Sequence, residues 1–322
     1  MDLEELYNSV KHSLRVYDSV LSMVSENWPT PLVKLRSLSD KEYEVWGKLE
    51  FFNVLSHSIK DRPIWYMFLK AKKENKIKEV LYEASSGNVA IALSLLANMH
   101  GVKTRLYLPK PTPDYTMTLL RIIGAKVVRT DFETIDQNFI TFVKQKAHED
   151  NATNLNQFEN DYNPESHYLY TAREIDLQLS VIGKAPPRAI VCGIGTSGHI
   201  AAISRYFKNK YGEETKIFGV IPAKDDTIPG IKRVETGPKW LSSADVDDII
   251  EVRTIDAAKE VINMARLEGL LIGMSSGAVV KAFKEIRDEV GAGVYVLIFP
   301  DDIFKYVNLL GTYLNSIDSK SR

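Results

Sequence analysis

The sequence has almost no cysteine: Cys192 is the only one among 322 residues. A single cysteine excludes a disulfide framework, a zinc site built from cysteine pairs and a cysteine-ligated iron–sulfur cluster. We expect no metal site. Cys192 lies on an apolar run that reads as a strand, so we interpret it as a small core residue and not as a nucleophile.

The sequence also lacks an excess of either charge, with 41 Lys+Arg against 42 Asp+Glu and a formal net charge of −1. Nucleic-acid-binding proteins usually carry a basic excess, so we expect no nucleic-acid partner. No run approaches the roughly 20 apolar residues that span a bilayer, and the acidic start does not resemble a secretory signal. We therefore expect a cytoplasmic protein without a membrane partner.

What the sequence does contain is enough apolar material, 44% of 322 residues, for two domains. Strand-like runs alternate with helical patterns at 60–74, 88–100, 115–123 and 134–148. This alternation predicts an α/β fold of two doubly wound, mostly parallel sheets covered by helices. The predicted smaller domain is 42–160, and 1–41 together with 161–322 form the larger one.

The start of the chain has apolar residues at helical spacing from Leu3 through Leu14, Tyr17 and Leu21 to Val24. This spacing predicts one amphipathic helix. We expect it to pack on the body of the protein or on a second subunit.

Ser58 and Lys60 lie where a predicted strand gives way to a helix. Ser58 is a suitable N-cap, which would place Lys60 in the first helical turn. The helix dipole disfavours a positive charge there, so the pKa of the Lys60 amine should be lowered. Schiff-base chemistry requires such a readily deprotonated amine. The alternative is a solvated surface lysine paired with Asp61.

Ser85, Ser86, Gly87 and Asn88 precede a second apolar helix. Free backbone N–H groups, hydroxyls and an amide at a helix start can bind a carboxylate or a phosphate. The alternative is an ordinary helix start that is capped by Ser86 or Asn88.

A third junction, from Gly193 to Gly198, has the pattern GxGxxG after a predicted strand. The next strand ends in Pro222 without the acidic residue that a dinucleotide site needs, which argues against a nicotinamide-dependent dehydrogenase. No GK[ST] follows, so the P-loop interpretation also fails. A backbone cradle for a single phosphate remains, assisted by the hydroxyls of Thr196 and Ser197.

A fourth junction, 273–277, again brings hydroxyl groups to a predicted helix start, which capping alone would explain. The four junctions together offer an amine, an anion site and a phosphate cradle. In α/β sheets, ligands bind beyond the carboxyl ends of the strands, where such junctions lie. A cofactor with an aldehyde, one phosphate and an aromatic nitrogen would use all of them, and pyridoxal 5′-phosphate (PLP) is that cofactor.

These motifs resemble those of fold-type II PLP enzymes, the cysteine synthase and cystathionine β-synthase family. The resemblance runs from about Thr30 to Tyr306 and has six motifs in the family's order. They are K-x-E-x-x-N…S-x-K-D-R at 48–62, S-S-G-N at 85–88, Q-F-x-N…N-P…H at 157–167, the phosphate loop at 195–198, G-x-S-S-G at 273–277 and P-D at 300–301.

The resemblance implies roles for individual residues. Lys60 would hold PLP covalently and later remove the α-proton of the substrate, and Ser275 would face the pyridine nitrogen. A neutral serine at that position favours β-elimination over transamination or racemisation. The other cofactor contacts would be Asn88 to the ring hydroxyl and Gly195, Thr196, Ser197, Gly198 and His199 to the phosphate; the substrate carboxylate would be bound by Ser85, Ser86, Gly87 and Gln157.

Some positions depart from the family pattern. Val89 replaces a threonine, and Ser197 and His199 alter the G-T-G-G-T loop. The segment typical of O-acetylserine enzymes is replaced by a loop that resembles that of relatives using O-phosphoserine. Its Lys232 or Arg233 would pair with a substrate phosphate, or both are solvated loop cations.

The implied reaction is β-replacement, in which an O-activated L-serine (O-phosphoserine or O-acetylserine) and sulfide give L-cysteine. The family also implies a homodimer. Alternatives that keep PLP are a serine or threonine dehydratase, a cystathionine synthase and a diaminopropionate synthase. A non-catalytic PLP-binding homologue is a further alternative, against which the joint presence of Lys60, Asn88, Gln157 and Ser275 argues.

Overall fold

The computed structural model describes residues 15–318. Within this range the strands are β1 (Leu32–Lys34), β2 (Tyr43–Leu49), β3 (Val80–Ala84), β4 (Lys103–Leu108), β5 (Lys126–Arg129), β6 (Thr153–Asn154), β7 (Ala189–Gly193), β8 (Lys216–Pro222), β9 (Asp248–Val252) and β10 (Gly293–Phe299).

Helices alternate with these strands. They are α1 (Val20–Glu26), α2 (Asp61–Lys73), α3 (Asn88–Met99), α4 (Asp114–Ile122), α5 (Gln137–Glu149), α6 (Tyr162–Ser166), a π-helix (His167–Ala172), α7 (Arg173–Val181), α8 (Gly198–Tyr211), α9 (Thr254–Glu268), α10 (Met274–Val290) and α11 (Val307–Asp318). Among residues 15–318, no helix is long and apolar enough to cross a membrane.

The strands form two sheets, as the alternation predicts. The larger has the order β1-β2-β10-β7-β8-β9 and the smaller β5-β4-β3-β6. Only β1 runs antiparallel to its neighbour; the other paired strands are parallel. Each sheet therefore has the carboxyl ends of its parallel strands along one edge, where ligands bind in this class of fold.

Burial explains why the central strands are continuously apolar. All five residues of β7 are buried, because helices cover both faces of the larger sheet. Separate apolar clusters, containing residues such as Phe68 and Phe139, lie on the two faces of the smaller sheet. The predicted α/β fold is thus confirmed.

The sheet pairing corrects one part of the predicted domain division. The predicted smaller domain, 42–160, includes β2, but β2 belongs to the six-stranded sheet. Its residues Tyr43–Leu49 pair in parallel register with Gly293–Phe299 of β10. Strand pairing between segments 250 residues apart leaves no local mark in the sequence, so the boundary was placed too early. The other boundaries remain predictions.

The structure tests only part of the predicted N-terminal helix. Leu3 to Leu14 lie outside the described residues, and Tyr17 precedes the helix, which begins at Val20 after a capping box between Ser19 and Ser22. Val24 is buried in the core of the smaller sheet, as expected of a helix packed on the body.

The fourth junction is also different from the prediction, because it joins two helices. The apolar run at 267–272 reads as a strand, but it is the end of α9 and the loop that leads to α10. Gly269 ends α9 with a φ of 68°, a left-handed conformation that glycine adopts readily. Short apolar runs do not by themselves distinguish a strand from a buried helix end.

Candidate active site

The loop that leads into α2 is fixed by a buried carboxylate. Asp61 accepts hydrogen bonds from the backbone N–H groups of Leu55 at 2.7 Å and Ser56 at 2.9 Å. The N–H of Ile59 bonds the carbonyl of Pro300 at 2.8 Å, which holds the loop against the end of β10. Asp61 is therefore committed to this loop, and the alternative of a surface pair between Lys60 and Asp61 is wrong.

Lys60 occupies the N-cap position of α2, one residue before the predicted first turn. Ser58 Oγ accepts a hydrogen bond from the Lys60 N–H at 3.1 Å. Burial lowers the pKa of the Lys60 amine to about 8, although the nearby carboxylate of Asp301 opposes the shift. At pH 8 roughly half of such amines are neutral, against about one in a few hundred for an ordinary lysine. The predicted direction is confirmed, but burial and not the helix dipole is the cause.

The loop between β7 and α8 is shaped by close contacts that only glycine permits. A Cβ on Gly195 would lie 2.8 Å from the carbonyl oxygen of Gly230, and one on Gly198 would lie 2.2 Å from Asn163 Oδ1. The loop leads directly into α8, a helix of 14 residues, so backbone N–H groups point out of its start. This geometry suits an anion, and phosphate binding at 195–198 stays a prediction.

The two hydroxyl residues of this loop differ in availability. Ser197 Oγ donates to the carbonyl of Thr196 at 2.6 Å and accepts from the N–H of Trp240 at 3.1 Å. The Ser197 hydroxyl is therefore committed to the protein, and only its backbone N–H remains for a ligand. Thr196 Oγ1 has only contacts at 3.4 Å, with the N–H of Gly198 and with Asn163 Nδ2.

His199, which follows the cradle, is buried beside His167 with a ring-centroid separation of 5.9 Å. Burial lowers the pKa of its ring to about 3, so the ring is neutral near pH 7. Its Nε2 has no hydrogen-bond partner among the described residues. The predicted contact of His199 with the phosphate remains a prediction, and without a bound anion the ring is neutral.

The start of α3 is capped by Ser85, and neither predicted cap residue takes that role. Ser85 Oγ accepts hydrogen bonds from the N–H groups of Gly87 at 3.1 Å and Ala90 at 3.0 Å. Ser86 is exposed, and Gly87 has a φ of 154° that favours glycine. The Ser86 side chain thus remains open to a ligand, as the carboxylate-site prediction requires.

Gln157 is held by a buried acid, Glu83, to which our sequence analysis gave no role. The Glu83 carboxylate accepts from the N–H groups of Asn156 at 2.9 Å and Gln157 at 3.2 Å. Burial raises the pKa of Glu83 to about 8, although these two donors favour the charged form. The sequence feature that could have identified Glu83 is its position, an acidic residue at the end of an apolar strand. Asn163 connects this loop to the cradle, donating to the carbonyl of Gln157 at 2.7 Å.

Ser275 lies in the first turn of α10, buried behind the glycine cradle. A Cβ on Gly230 would lie 3.4 Å from Ser275 Oγ, and one on Gly193 would lie 4.0 Å from Ser275 Cβ. The neighbouring Ser276 Oγ is buried without a hydrogen-bond partner in the part of the chain that the structure describes. The predicted ring-nitrogen residue thus lies beside the predicted phosphate loop.

A cavity of about 570 Å³ opens next to the cradle, and its lining includes Gly195, Thr196 and Lys232. Lys232 Nζ donates to the carbonyl of Ile135 at 2.5 Å and lies over the ring of Phe158 at 5.1 Å. Burial lowers the pKa of Lys232 to about 8. The structure thus places one of the two predicted loop cations at the cavity.

The other loop cation, Arg233, is not at the cavity. Its guanidinium forms ion pairs with Glu235 and Glu251, each at 2.9 Å, and donates to the carbonyl of Pro222 at 2.9 Å. The expectation that Arg233 binds substrate is therefore corrected: its charge is neutralised by two acids on another side of the loop.

A family model described as "Pyridoxal-phosphate dependent enzyme" matches residues 24–301. That span is most of the chain. The chain belongs to the pyridoxal-phosphate dependent enzyme family. The resemblance inferred from the six motifs is thereby confirmed.

Within this family, the chain is similar to proteins named cysteine synthase. It is 34% identical to cysteine synthase B of Salmonella typhimurium over 84% of this chain and 89% of the relative. It is 32% identical to cysteine synthase of Aquifex aeolicus, with 90% of each chain covered.

Among solved structures, an O-acetylserine dependent cystathionine beta-synthase from Helicobacter pylori superposes with a TM-score of 0.80 at 27% identity, over 91% of this chain and 98% of that one. An O-ureido-L-serine synthase has a TM-score of 0.84 at 24% identity, over 93% of this chain and 96% of that one. At 24% identity, the similarity to O-ureido-L-serine synthase concerns the fold alone.

Proposed function

We propose that the protein is a PLP-dependent enzyme that makes L-cysteine by β-replacement from an O-activated L-serine and sulfide. The observation that carries the proposal is the joint presence of Lys60, an amine whose pKa is lowered by burial, and the glycine-built loop at 195–198. The similarity to cysteine synthases over most of the chain supports the choice of reaction.

The residues present fit PLP. In the proposal, the backbone N–H groups of the cradle hold the phosphate, the Lys60 amine holds the aldehyde carbon, and Ser275 Oγ faces the ring nitrogen. The adjacent Ser276 Oγ is buried without a hydrogen-bond partner among residues 15–318, as a polar group near a ligand site can be. When bound, PLP supplies an electron sink for the carbanion at the substrate α-carbon.

The chain's own residues then bind and orient the substrate. Ser86 and the start of α3 are available to the α-carboxylate, with Gln157 held beside them by Glu83. Gln157 Nε2 itself donates to the carbonyl of Ala84 at 3.0 Å, so one amide N–H is left for the substrate. Lys60 Nζ, with its lowered pKa, is suited to accept the α-proton.

Lys232 is the side chain that we propose for the leaving group. A phosphate or acetate that departs from the β-carbon carries negative charge, and a cation beside it stabilises that charge. Lys232 is held in place by Ile135 and Phe158, so it presents its charge without much loss of side-chain entropy. This arrangement favours an O-activated serine over free serine.

Product analysis tests the proposed reaction. Purified enzyme loaded with PLP is given O-acetyl-L-serine or O-phospho-L-serine in parallel, each with sulfide, with homocysteine or without a nucleophile. Cysteine from the sulfide arm supports the proposal. Pyruvate in all arms would instead indicate a dehydratase, cystathionine as the main product would indicate a cystathionine synthase, and no change with any amino acid would indicate a non-catalytic homologue.

Replacing Lys232 with methionine should raise KM for O-phospho-L-serine about 10–100-fold, because one charge-assisted contact to a doubly charged group is lost. The effect on O-acetyl-L-serine should be smaller. Arg233→Met is the matched control, since Arg233 is paired with Glu235 and Glu251, and it should leave the preference between the two esters unchanged. Equal losses for both esters in Lys232→Met would contradict a leaving-group role.

We further propose that the protein is cytoplasmic and that it forms a homodimer, the second of which the family resemblance implies. One surface suited to a second copy is the outer face of α7, where Leu177 is 64% and Val181 78% exposed. Sedimentation equilibrium should give twice the chain mass for the wild-type protein, and Leu177→Glu together with Val181→Glu should weaken the dimer. A wild-type monomer would contradict the proposal.

A further inference from the structure

The side-chain amide of Asn88 is held at both ends by residues that follow β10. Asn88 Nδ2 donates to Asp301 Oδ2 at 2.8 Å, and Asn88 Oδ1 accepts from Lys305 Nζ at 2.8 Å. Asp301 is only 2% exposed, and Tyr306 donates its hydroxyl proton to the same carboxylate oxygen. Of these three partners, only Asp301 lies in one of the six sequence motifs, and that motif indicates no role for it.

These two contacts determine which way the amide points. Turning the amide of Asn88 by 180° would bring its carbonyl oxygen against the carboxylate of Asp301 and its NH₂ group against the ammonium of Lys305. Two favourable contacts would become two repulsive ones. The amide is therefore fixed, and of the two protons on Nδ2 only one has an acceptor among the described residues.

Lys305 also fixes the distance between Asn88 and the Lys60 loop. Its Nζ donates a second hydrogen bond to the carbonyl of Ser56 at 2.9 Å, within the loop that Asp61 closes. One ammonium group thus joins the start of α3 to the segment that carries Lys60. The donor in both contacts is the charged ammonium of Lys305, so each is stronger than a hydrogen bond between neutral groups.

We propose that Asp301 and Lys305 are positioning residues that hold the second Nδ2 proton of Asn88 toward the ring hydroxyl of PLP. The proposal rests on the proposed binding of PLP at Lys60. The nitrogen that joins Lys60 to the cofactor, when protonated, donates a hydrogen bond to the same ring oxygen. A hydrogen bond from Asn88 to this oxygen weakens that contact. It therefore lowers the pH at which this nitrogen loses its proton and the visible absorbance changes.

The charged and titratable groups around this amide come from several elements. Asp301 and Lys305 contact the amide, and Tyr306 donates to the Asp301 carboxylate. Lys60, Tyr115 and Asp302 interact electrostatically with that carboxylate. Replacing Lys305 removes one of the two contacts of this amide and leaves Asn88 and the other residues assigned to the cofactor in place.

The test is a pH titration of the visible absorbance of the holoenzyme, with the PLP dissociation constant as a second measurement. In Lys305→Met the absorbance midpoint should rise by about half a pH unit or more, because only the contact with Asp301 still orients the amide and its second Nδ2 proton is held less firmly toward the ring. PLP affinity should fall about tenfold. Lys305→Arg retains a charged donor and should restore most of both values.

Lys208→Met is the matched control. Lys208 is similarly buried and bridges Glu213 at 3.4 Å and Asp247 at 3.0 Å, at the far end of α8 from the cradle. It should leave the midpoint and the PLP affinity unchanged. If Lys305→Met does not fold, Asp301→Asn provides the comparison, with a smaller shift in the same direction because a neutral acceptor remains.

Two outcomes would overturn the proposal, and they are distinguishable. A wild-type protein that binds PLP, with variants whose midpoint and affinity equal those of the wild type, contradicts the positioning role alone. A wild-type protein that takes up no PLP contradicts the proposed function and the positioning role together.

Discussion

Replacing Lys60 with alanine should abolish both the covalent attachment of PLP, seen as loss of its visible absorbance, and turnover. The Lys60 amine is the only group that we assign to the aldehyde carbon, and burial has already lowered its pKa to about 8. The turnover of Lys60→Ala should fall by several orders of magnitude, because the general base is lost with the attachment. Absorbance spectra and a cysteine assay with sulfide measure the two losses.

Lys73→Ala is the control for this variant, since Lys73 is an exposed lysine of the same helix, α2. It should keep the absorbance and the turnover of the wild type. Circular dichroism should show Lys60→Ala folded, because the mutation removes a partly buried amine that has no ion-pair partner among the described residues. Wild-type turnover in Lys60→Ala would disprove the proposed mechanism.

Replacing Arg62 with methionine should destabilise the protein by about 3–5 kcal/mol, because it leaves a buried carboxylate without its partner. Arg62 is fully buried and donates to Glu50 at 2.6 Å and to Glu174 at 2.7 Å. Lys48 alone, at 3.0 Å from Glu174, would remain to balance two acids. Denaturant unfolding measures the loss. Arg253→Met, which breaks an exposed pair with Asp256, should cost less than about 1 kcal/mol.

The same variant should change how stability depends on pH. Burial alone would raise the pKa of Glu50, but Arg62 holds it well below its ordinary value of 4.5. The stability contributed by Glu50 is thus complete above pH 4.5 and is lost as the pH falls below it. In Arg62→Met burial prevails and the pKa rises, so the difference from the wild type should shrink on acidification. A difference that stays constant with pH would contradict this account.

The sequence predicted those features that depend on neighbouring residues. Helix and strand periodicity placed α2, α3 and β7 within a few residues, and the glycines at 195 and 198 marked the cradle. It also indicated a lysine with a lowered pKa at position 60, although through the wrong cause. Such features follow from local spacing, which a single sequence shows directly.

What the sequence could not predict depends on segments that are distant along the chain. Asp301 holds Asn88 across 213 residues, and Glu83 holds Gln157 across 74. Lys232 and Arg233 are adjacent and chemically alike, yet only one faces the cavity, because Glu235 and Glu251 neutralise the other. Sequence pattern gives residue type, but three-dimensional pairing decides which cation is free to bind a ligand.

The position of β2 in the larger sheet has a consequence for motion. The chain leaves that sheet at Leu49 and enters the helices of the smaller sheet at Asp61, and the connecting segment is fastened to the end of β10 through Ile59 and a bridge between Ser58 and Asp301. We expect any movement of the smaller sheet to leave the Lys60 segment with the larger one. Such a movement would strain the hydrogen bonds of Asn88 with Asp301 and Lys305, which tie the start of α3 to the end of β10.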